Sequence, residues 1–322
     1  MESQQKSSTN PLSLHVSAIA PAGADTILLR LADRDGAMLP PAAPGAHVTL
    51  LLPGGIDRQY SLIEAGDALR EYVIAVRREP NSRGGSAAVH DGLRPGSAIG
   101  VLPPRNDFPL VTDARHSVLI GGGIGITPLL SMASWLGTHG RAFDLHAAFA
   151  SRPALLLADR LDRVPQARLH FDDAAGGPFP LAATIAAAPR DAHLYCCGPA
   201  AMIQDFIAMA RADGRDDAAI HFEYFAPPPA AAPAGSFTVA LARSGIELAV
   251  PPGKSILEVV RAAGIAAGSS CEQGTCGACE VRVIEGIPDH FDAVLSPKDK
   301  REGKSMMICC SGALSDRLVL DL

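Results

Sequence analysis

No stretch of this sequence approaches the roughly 18 to 20 consecutive apolar residues that a membrane-spanning helix needs, so no membrane partner is expected. The first residues, Met1-Glu2-Ser3-Gln4-Gln5-Lys6, lack the apolar core of a signal peptide, and a cytoplasmic location is the expectation. In reducing surroundings, seven cysteines suit a metal cluster better than a disulfide framework. No segment is basic and the formal net charge is −6, which argues against nucleic acid as a partner. Internal repeats are absent, and there is no low-complexity tract beyond one proline-rich stretch. What is present, 322 residues that are 48% hydrophobic and 19% charged, is enough globular chain for two or three domains.

Five of the cysteines fall in the last quarter, and four of them form a pattern. Cys271, Cys276 and Cys279 are spaced C-x4-C-x2-C, and Cys309 follows after 29 intervening residues. That is the plant-type ligand pattern for a 2Fe–2S cluster. The loop 269–279 is rich in small residues, so its N–H groups can wrap bridging sulfides while three thiolates reach the irons. Gly274 and Gly277 permit the tight turns. Structural zinc is the competing reading, but zinc sites usually pair two short hooks, whereas here one loop carries three ligands and the fourth stands alone. Cys310 fits the spacing worse than Cys309 and is expected to point away.

Along the chain, Leu12–Ala20, Thr26–Ala32, His47–Leu52, Gln59–Ile63 and Glu71–Arg77 read as short strands divided by Gly and Pro clusters, the cadence of an antiparallel barrel. From about 113 the pattern changes to alternating strand and helix. Strands are expected at Ser117–Ile120, Asp144–Ala150, Arg168–Phe171, His193–Cys197 and Ile220–Phe225, with helices at Leu129–Gly137, Ala154–Arg163 and Ala200–Ala212, which implies an open parallel α/β sheet. Four prolines between 226 and 235 favour an extended tether. A small α+β module follows, opening with a hairpin, Phe237–Ala242 and Ile246–Val250, and a helix at Ser255–Ala263. The expected domains are 1–108, 109–226, a linker at 227–235, and 236–322.

Three segments look built for nucleotides. In Arg58-Gln59-Tyr60-Ser61, strand alternation puts Arg58 and Tyr60 on one face; taken alone, an ordinary edge strand is as good a reading. Gly84, Gly85 and Ser86 open a short helix whose start can hold a phosphate, with Ser86 as the N-cap. In Gly121-Gly122-Gly123-Ile124-Gly125-Ile126-Thr127-Pro128 a strand feeds a glycine loop ending in a capping threonine and a proline at the first helical position. The third glycine of the usual G-x-G-x-x-G is replaced by Ile126. The acidic residue expected after the next strand is also missing, and Arg152 stands there instead, leaving NADH or NADPH open. Tyr195-Cys196-Cys197-Gly198-Pro199 places Cys197 at the carboxyl edge of the sheet, where open α/β folds bind ligands.

Together these motifs resemble the phthalate dioxygenase reductase family within the ferredoxin–NADP reductase superfamily, and vanillate demethylase reductases look similar. The resemblance covers nearly the whole chain and rests on R-Q-Y-S-L at 58–62, Ser82-Arg83-Gly84-Gly85-Ser86, G-G-I-G-I-T-P at 122–128, C-C-G-P at 196–199, and the cysteines. It implies a flavin β-barrel, a Rossmann-like nicotinamide domain and a C-terminal β-grasp ferredoxin domain. It implies that Arg58 neutralises the phosphate of FMN, that Gln59, Tyr60 and Ser61 lie along the flavin, and that Ala75, Val76 and Arg77 edge the ring. Arg83, Gly84, Gly85 and Ser86 would hold the phosphate. Gly122, Gly123, Gly125, Pro128 and Gly198 would carry the nicotinamide dinucleotide, with Arg152 near its phosphates. Thr127, Cys197 and Phe225 would meet the reacting rings.

The implied activity is an NADH-dependent reductase that feeds electrons singly, through FMN and the cluster, to a Rieske-type aromatic-ring dioxygenase or O-demethylase. A cytochrome or another monooxygenase as acceptor, or a redox sensor, are the alternatives. A monomer is expected, and the cluster Lys298, Lys300, Arg301 and Lys304, with three of the five lysines, is either a solvated face or a dock for an acidic partner.

Overall fold

The computed structural model describes residues 10–80, 84–225 and 235–322, apart from 270, 271, 273, 275, 276, 293 and 296. Compact packing divides the chain into two units, 1–223 and 224–322. The expected linker lies almost wholly outside the described residues.

The first unit opens with six antiparallel strands: β1 (Leu12–Gly23), β2 (Thr26–Ala32), β3 (His47–Leu52), β4 (Ile56–Ser61), β5 (Glu71–Arg77) and β6 (Ala98–Arg105). Their order is β4-β3-β6-β1-β2-β5. Just past β4, Ile63 N–H donates to Val73 O at 2.9 Å, so the two edge strands meet and the sheet closes into a barrel. Strand β6, which lies between β1 and β3, did not stand out in the sequence because Pro103 and Pro104 mask its alternation. The barrel interior is filled by Val16, Leu29, Leu31, Val48, Leu50, Ile74 and Val101, none of them measurably exposed. One short helix, α1 (Gly85–Gly92), lies between β5 and β6.

The second half of this unit is a five-stranded parallel sheet of β7 (His116–Gly122), β8 (Ala142–Phe149), β9 (Ala167–Phe171), β10 (His193–Cys197) and β11 (Ile220–Glu223), ordered β11-β10-β7-β8-β9. Chain order reverses between β7 and β10, and such switch points open a crevice at the carboxyl ends of the strands. Helix α2 (Ile126–Thr138) follows β7 and is buried along most of its length. The helix expected at Ala154–Arg163 is not formed. A 3₁₀ turn at Arg152–Ala154 and a single helical turn at Ala158–Leu161 replace it, because Leu157 takes a left-handed φ of 55° and its N–H donates to Ala22 O of the barrel at 2.8 Å. Tertiary pairing overrides local propensity there.

Gly45 shows how the barrel and the parallel sheet are joined. It has φ 90°, its N–H donates to Ser131 Oγ on α2 at 3.0 Å, and a Cβ at this position would lie 2.9 Å from Met132 Cε. Only glycine allows this close approach.

The second unit is a mixed sheet of β12 (Phe237–Leu241), β13 (Ile246–Val250), β14 (Glu280–Glu285), β16 (Ser305–Met307) and β18 (Arg317–Leu320), ordered β13-β12-β18-β14-β16. A two-stranded ribbon of β15 (Pro288–Asp289) and β17 (Gly312–Ala313) lies beside it in the chain. The helix Ile256–Ala262 starts with a reciprocal capping box, Ser255 Oγ accepting from Glu258 N and Glu258 accepting from Ser255 N, and buries Ile256, Leu257 and Val260. Such a cap is worth about 1 kcal/mol.

Candidate functional site

Strand β4 delivers what its alternation promises. Arg58 and Tyr60 share a half-buried face, Gln59 faces solvent on the other, and Ser61 is buried. Tyr60 packs against the barrel core, and burial pushes its phenol up to about 12, so it stays neutral at any physiological pH. Arg58 lies across the start of α1: a Cβ on Gly85 would sit 2.5 Å from Arg58 Nε and 2.6 Å from its Cγ. A guanidinium beside the start of a helix adds fixed charge to donors without intrahelical partners, the ingredients of an anion site; Arg58 Nη1 also donates to Asp57 O at 2.8 Å.

Two details differ from the sequence reading. The N-cap is Gly84, left-handed at φ 86°, not Ser86. Ser86 is buried one residue inside the helix, and its hydroxyl accepts from Glu79 N–H at 3.1 Å. Its hydroxyl therefore anchors the entering loop. Arg83 lies outside the described residues. Of the segment expected along the ring edge, Ala75 and Val76 are buried, and Val76 O is taken by His90 Nε2 at 2.9 Å. Arg77, at the strand end, pairs with Glu79 and reaches toward the glycine loop, where a Cβ on Gly123 would lie 3.8 Å from its Nη1. The two halves of the unit therefore adjoin at this edge.

The glycine loop sits at the switch point. Gly121 of β7 stands opposite Cys197 of β10, and the loop beyond it packs backbone against backbone on the Cys197-Gly198-Pro199 turn. A Cβ on Gly125 would fall 2.6 Å from Gly198 N, and one on Gly122 would fall 2.7 Å from Pro199 Cδ. Gly123 has φ 55°. Ile126, which stands in place of the third glycine, is fully buried and closes on Gly121, where a Cβ would lie 2.7 Å from its Cδ1.

Helix α2 begins at Ile126, preceded by a 3₁₀ turn at Gly123–Gly125. Thr127 is therefore inside the helix rather than its cap, with Oγ1 donating to Ile124 O at 3.0 Å, and Pro128 is the third helical residue instead of the first. Cys197 is fully buried. Burial, aided by Glu223 and Cys196, holds its thiol well above the ordinary range, so it is a neutral packing surface and not a thiolate nucleophile. Arg152 is exposed, with its guanidinium 4.9 Å above the Phe171 ring, a cation–π contact that aims a fixed charge from the carboxyl edge of the sheet.

Phe225 was expected to end the last strand. That strand stops at Glu223, and Phe225 is 41% exposed at the start of the second unit.

In that unit Cys279 and Cys309 are buried. Cys271 and Cys276 lie outside the described residues. Gly274, at φ 70°, donates its N–H to Cys309 Sγ at 3.2 Å. A backbone donor aimed at a cysteine sulfur is what a cluster ligand needs, because it stabilises charge on the sulfur. Contact with Cys279 lowers the Cys309 thiol, but Cys310 and burial outweigh it and push the group up to about 12. Metal must therefore displace a proton on binding. Cys310 does not turn away; its sulfur packs directly against Gly274. Chemically the residues fit the cluster.

Adjoining glycine-lined edges on a closed barrel and a parallel sheet, followed in the chain by a module with buried cysteines, are the architecture of a modular electron-transfer oxidoreductase of the ferredoxin–NADP reductase type. Residues 239–314 match the family model of the 2Fe–2S iron–sulfur cluster binding domain. The chain is 47% identical over 97% of its length, and 98% of the relative's, to phenoxybenzoate dioxygenase subunit beta of Ectopseudomonas oleovorans. Among solved structures it is similar to phthalate dioxygenase reductase, described as modular for electron transfer from pyridine nucleotides to a 2Fe–2S centre (TM-score 0.73, 37% identity, 97% of this chain and 98% of that one). An intact type IV self-sufficient cytochrome P450 monooxygenase gives a TM-score of 0.80 at 35% identity, covering 97% of this chain but 41% of that one. The chain belongs to the phthalate dioxygenase reductase family. It is an oxidoreductase with a 2Fe–2S cluster binding domain at its C-terminal end.

Proposed function

We propose that this protein is the reductase component of a Rieske-type aromatic-ring dioxygenase or O-demethylase, with 1–108 holding FMN, 109–226 holding NADH and 236–322 holding the cluster. The observation that carries the residue assignment is Arg58 lying over Gly85 at the start of α1, because a phosphate monoester at the end of FMN needs such an anion cradle. When bound, FMN would supply the step between a two-electron hydride and single electrons, which a one-electron cluster requires.

The chain's own residues do the positioning. Arg58, Gly84 and Gly85 would fix the phosphate, with Arg83 expected beside them, and Tyr60 and Ser61 would meet the flavin. The loop Gly122, Gly123, Gly125 would bring the dinucleotide backbone close, with Cys197, Thr127 and Phe225 at the nicotinamide and Arg152 at the outer phosphates. Cys271, Cys276, Cys279 and Cys309 would hold the cluster. No acid–base residue is called for, in keeping with the neutral Cys197 and Tyr60. A cytoplasmic monomer completes the reading.

Anaerobic titration with NADH, with flavin extraction and EPR, tests it. FMN and a rhombic reduced-cluster signal are the expected results, and absence of either would sink the scheme. The same titration on Phe225→Ala should show altered NADH kinetics with unchanged flavin content; unaltered kinetics would remove Phe225 from the nicotinamide site. In a separate measurement, Arg58→Ala should weaken FMN retention roughly ten- to a hundredfold, since a charge-assisted hydrogen bond is worth about 1.5–3 kcal/mol. Fluorescence of the released flavin reads this directly, and unchanged affinity would take Arg58 out of the phosphate cradle.

A further inference from the structure

The second unit buries a carboxylate that electron transfer as described above does not use. Asp292, in the turn between β15 and the helix Pro297–Glu302, has a side chain with no exposed surface. Its Oδ2 accepts from Val294 N at 3.1 Å and Leu295 N at 2.8 Å. Its Oδ1 has no hydrogen bond among the described residues. Two cationic or titratable groups face it. His290, with a side chain 7% exposed, brings Nδ1 to 3.5 Å from Oδ1, and Lys300 reaches down from the helix to place Nζ 3.6 Å from Oδ2. Lys300 also donates to the Asp292 main-chain carbonyl. The lysine is thus turned inward and is lost to the basic surface read from the sequence, which narrows to Lys298, Arg301 and the Glu302-paired Lys304.

This array abuts the ligand loop. A Cβ on Gly274 would lie 3.2 Å from Asp292 Cα, and the same Gly274 donates its N–H to Cys309 Sγ. A single glycine therefore lies between the Asp292 main chain and the Cys309 sulfur. Burying an ion costs several kcal/mol unless it is well paired, and here neither partner makes close contact.

We infer that Asp292 and Lys300 are opposed electrostatic positioning residues for the cluster, the carboxylate lowering and the ammonium raising its reduction potential. The inference rests on the reading that this unit holds a 2Fe–2S centre. Reduction adds one negative charge, so a nearby buried anion disfavours it and a nearby cation favours it, and net charge is one of the determinants of cluster potential. At an effective dielectric near 20, a unit charge acting over roughly 10 Å changes the reduction equilibrium by about tenfold, close to 59 mV for a one-electron couple.

The test is EPR-monitored potentiometry of the full chain for Asp292→Asn and Lys300→Met. Asn is isosteric and keeps an acceptor for Val294 and Leu295. The expected result is a raised potential in Asp292→Asn and a lowered one in Lys300→Met, each by about tenfold in the reduction equilibrium. A merely structural role would loosen the loop in both and shift both the same way. Shifts of the same sign, or an unmoved potential in Lys300→Met, would overturn the inference. Should Asp292→Asn fail to fold, the sign of the Lys300→Met shift still decides it. A wild-type protein with no cluster signal would overturn the cluster reading along with it.

Discussion

Replacing Gly125 by alanine should lower kcat/KM for NADH by about a hundredfold while leaving the protein folded and its FMN in place. The added Cβ falls 2.6 Å from Gly198 N, against the main chain of the Cys197-Gly198 turn. A side-chain tip could swing aside, but backbone at the end of a central parallel strand cannot. The glycine loop and the C-C-G-P turn must therefore separate, and displacement of about 1 Å in a positioning element is enough for a loss of this size. Rapid-mixing measurement of flavin reduction over a range of NADH concentrations checks it. The conformation at Gly125 is ordinary right-handed helix, so the loss would come from contact and not from backbone strain. Gly36→Ala makes the complementary control: it has φ 73° and open space around it, in the connection between β2 and β3 and distant in the chain from either cradle. A wild-type rate in Gly125→Ala would mean that the dinucleotide does not use this loop.

The second large effect is expected at the paired cysteines. Cys309→Ser should abolish the cluster signal and cut NADH-driven cytochrome c reduction about a hundredfold or more, since even outer-shell partners of a metal are worth about 10- to 100-fold. Reduction of the flavin by NADH should persist, because the two nucleotide cradles belong to the other unit. Cys310→Ser should keep the cluster. The difference follows from the Gly274 N–H, which donates to Cys309 Sγ, while the Cys310 sulfur packs between Gly274 and the Met307 carbonyl. EPR of the reduced variants separates the two positions, and a cluster retained in Cys309→Ser but lost in Cys310→Ser would reverse the ligand assignment.

The relatives bear on the choice of acceptor. Similar chains occur as a dioxygenase subunit and as part of a P450 monooxygenase, so the electron-delivering body is one design with several outlets. On the proposed reading, selectivity for an oxygenase would rest on the surface around the cluster unit, where Lys300 turns toward Asp292 and Lys304 pairs with Glu302. It would also rest on the potential of the cluster, which the buried Asp292 would lower.

The sequence by itself determined the order of the modules, the cluster ligand spacing and the position of each glycine loop. These are local properties: thiolate spacing, strand alternation and glycine runs are written in contiguous residues. Arg58 and Tyr60 on one face followed from a period of two alone. Beyond reach were β6, hidden by its prolines, the capping by Gly84 in place of Ser86, the early start of α2, and the broken helix after Arg152. Most were decided by a partner distant in the chain: β1 and β3 for β6, the Cys197-Gly198 main chain for the glycine loop, and Ala22 O for Leu157; for Ser86 it was the Glu79 N–H seven residues before it, across the turn. Only the tertiary structure showed that Gly85 is a seat for Arg58 and that Lys300 faces a buried carboxylate. The physical reason is the same throughout: a close approach through space, whether across a turn or across tens of residues, is invisible to periodicity and becomes legible only when the missing Cβ or the buried charge is seen beside what it meets.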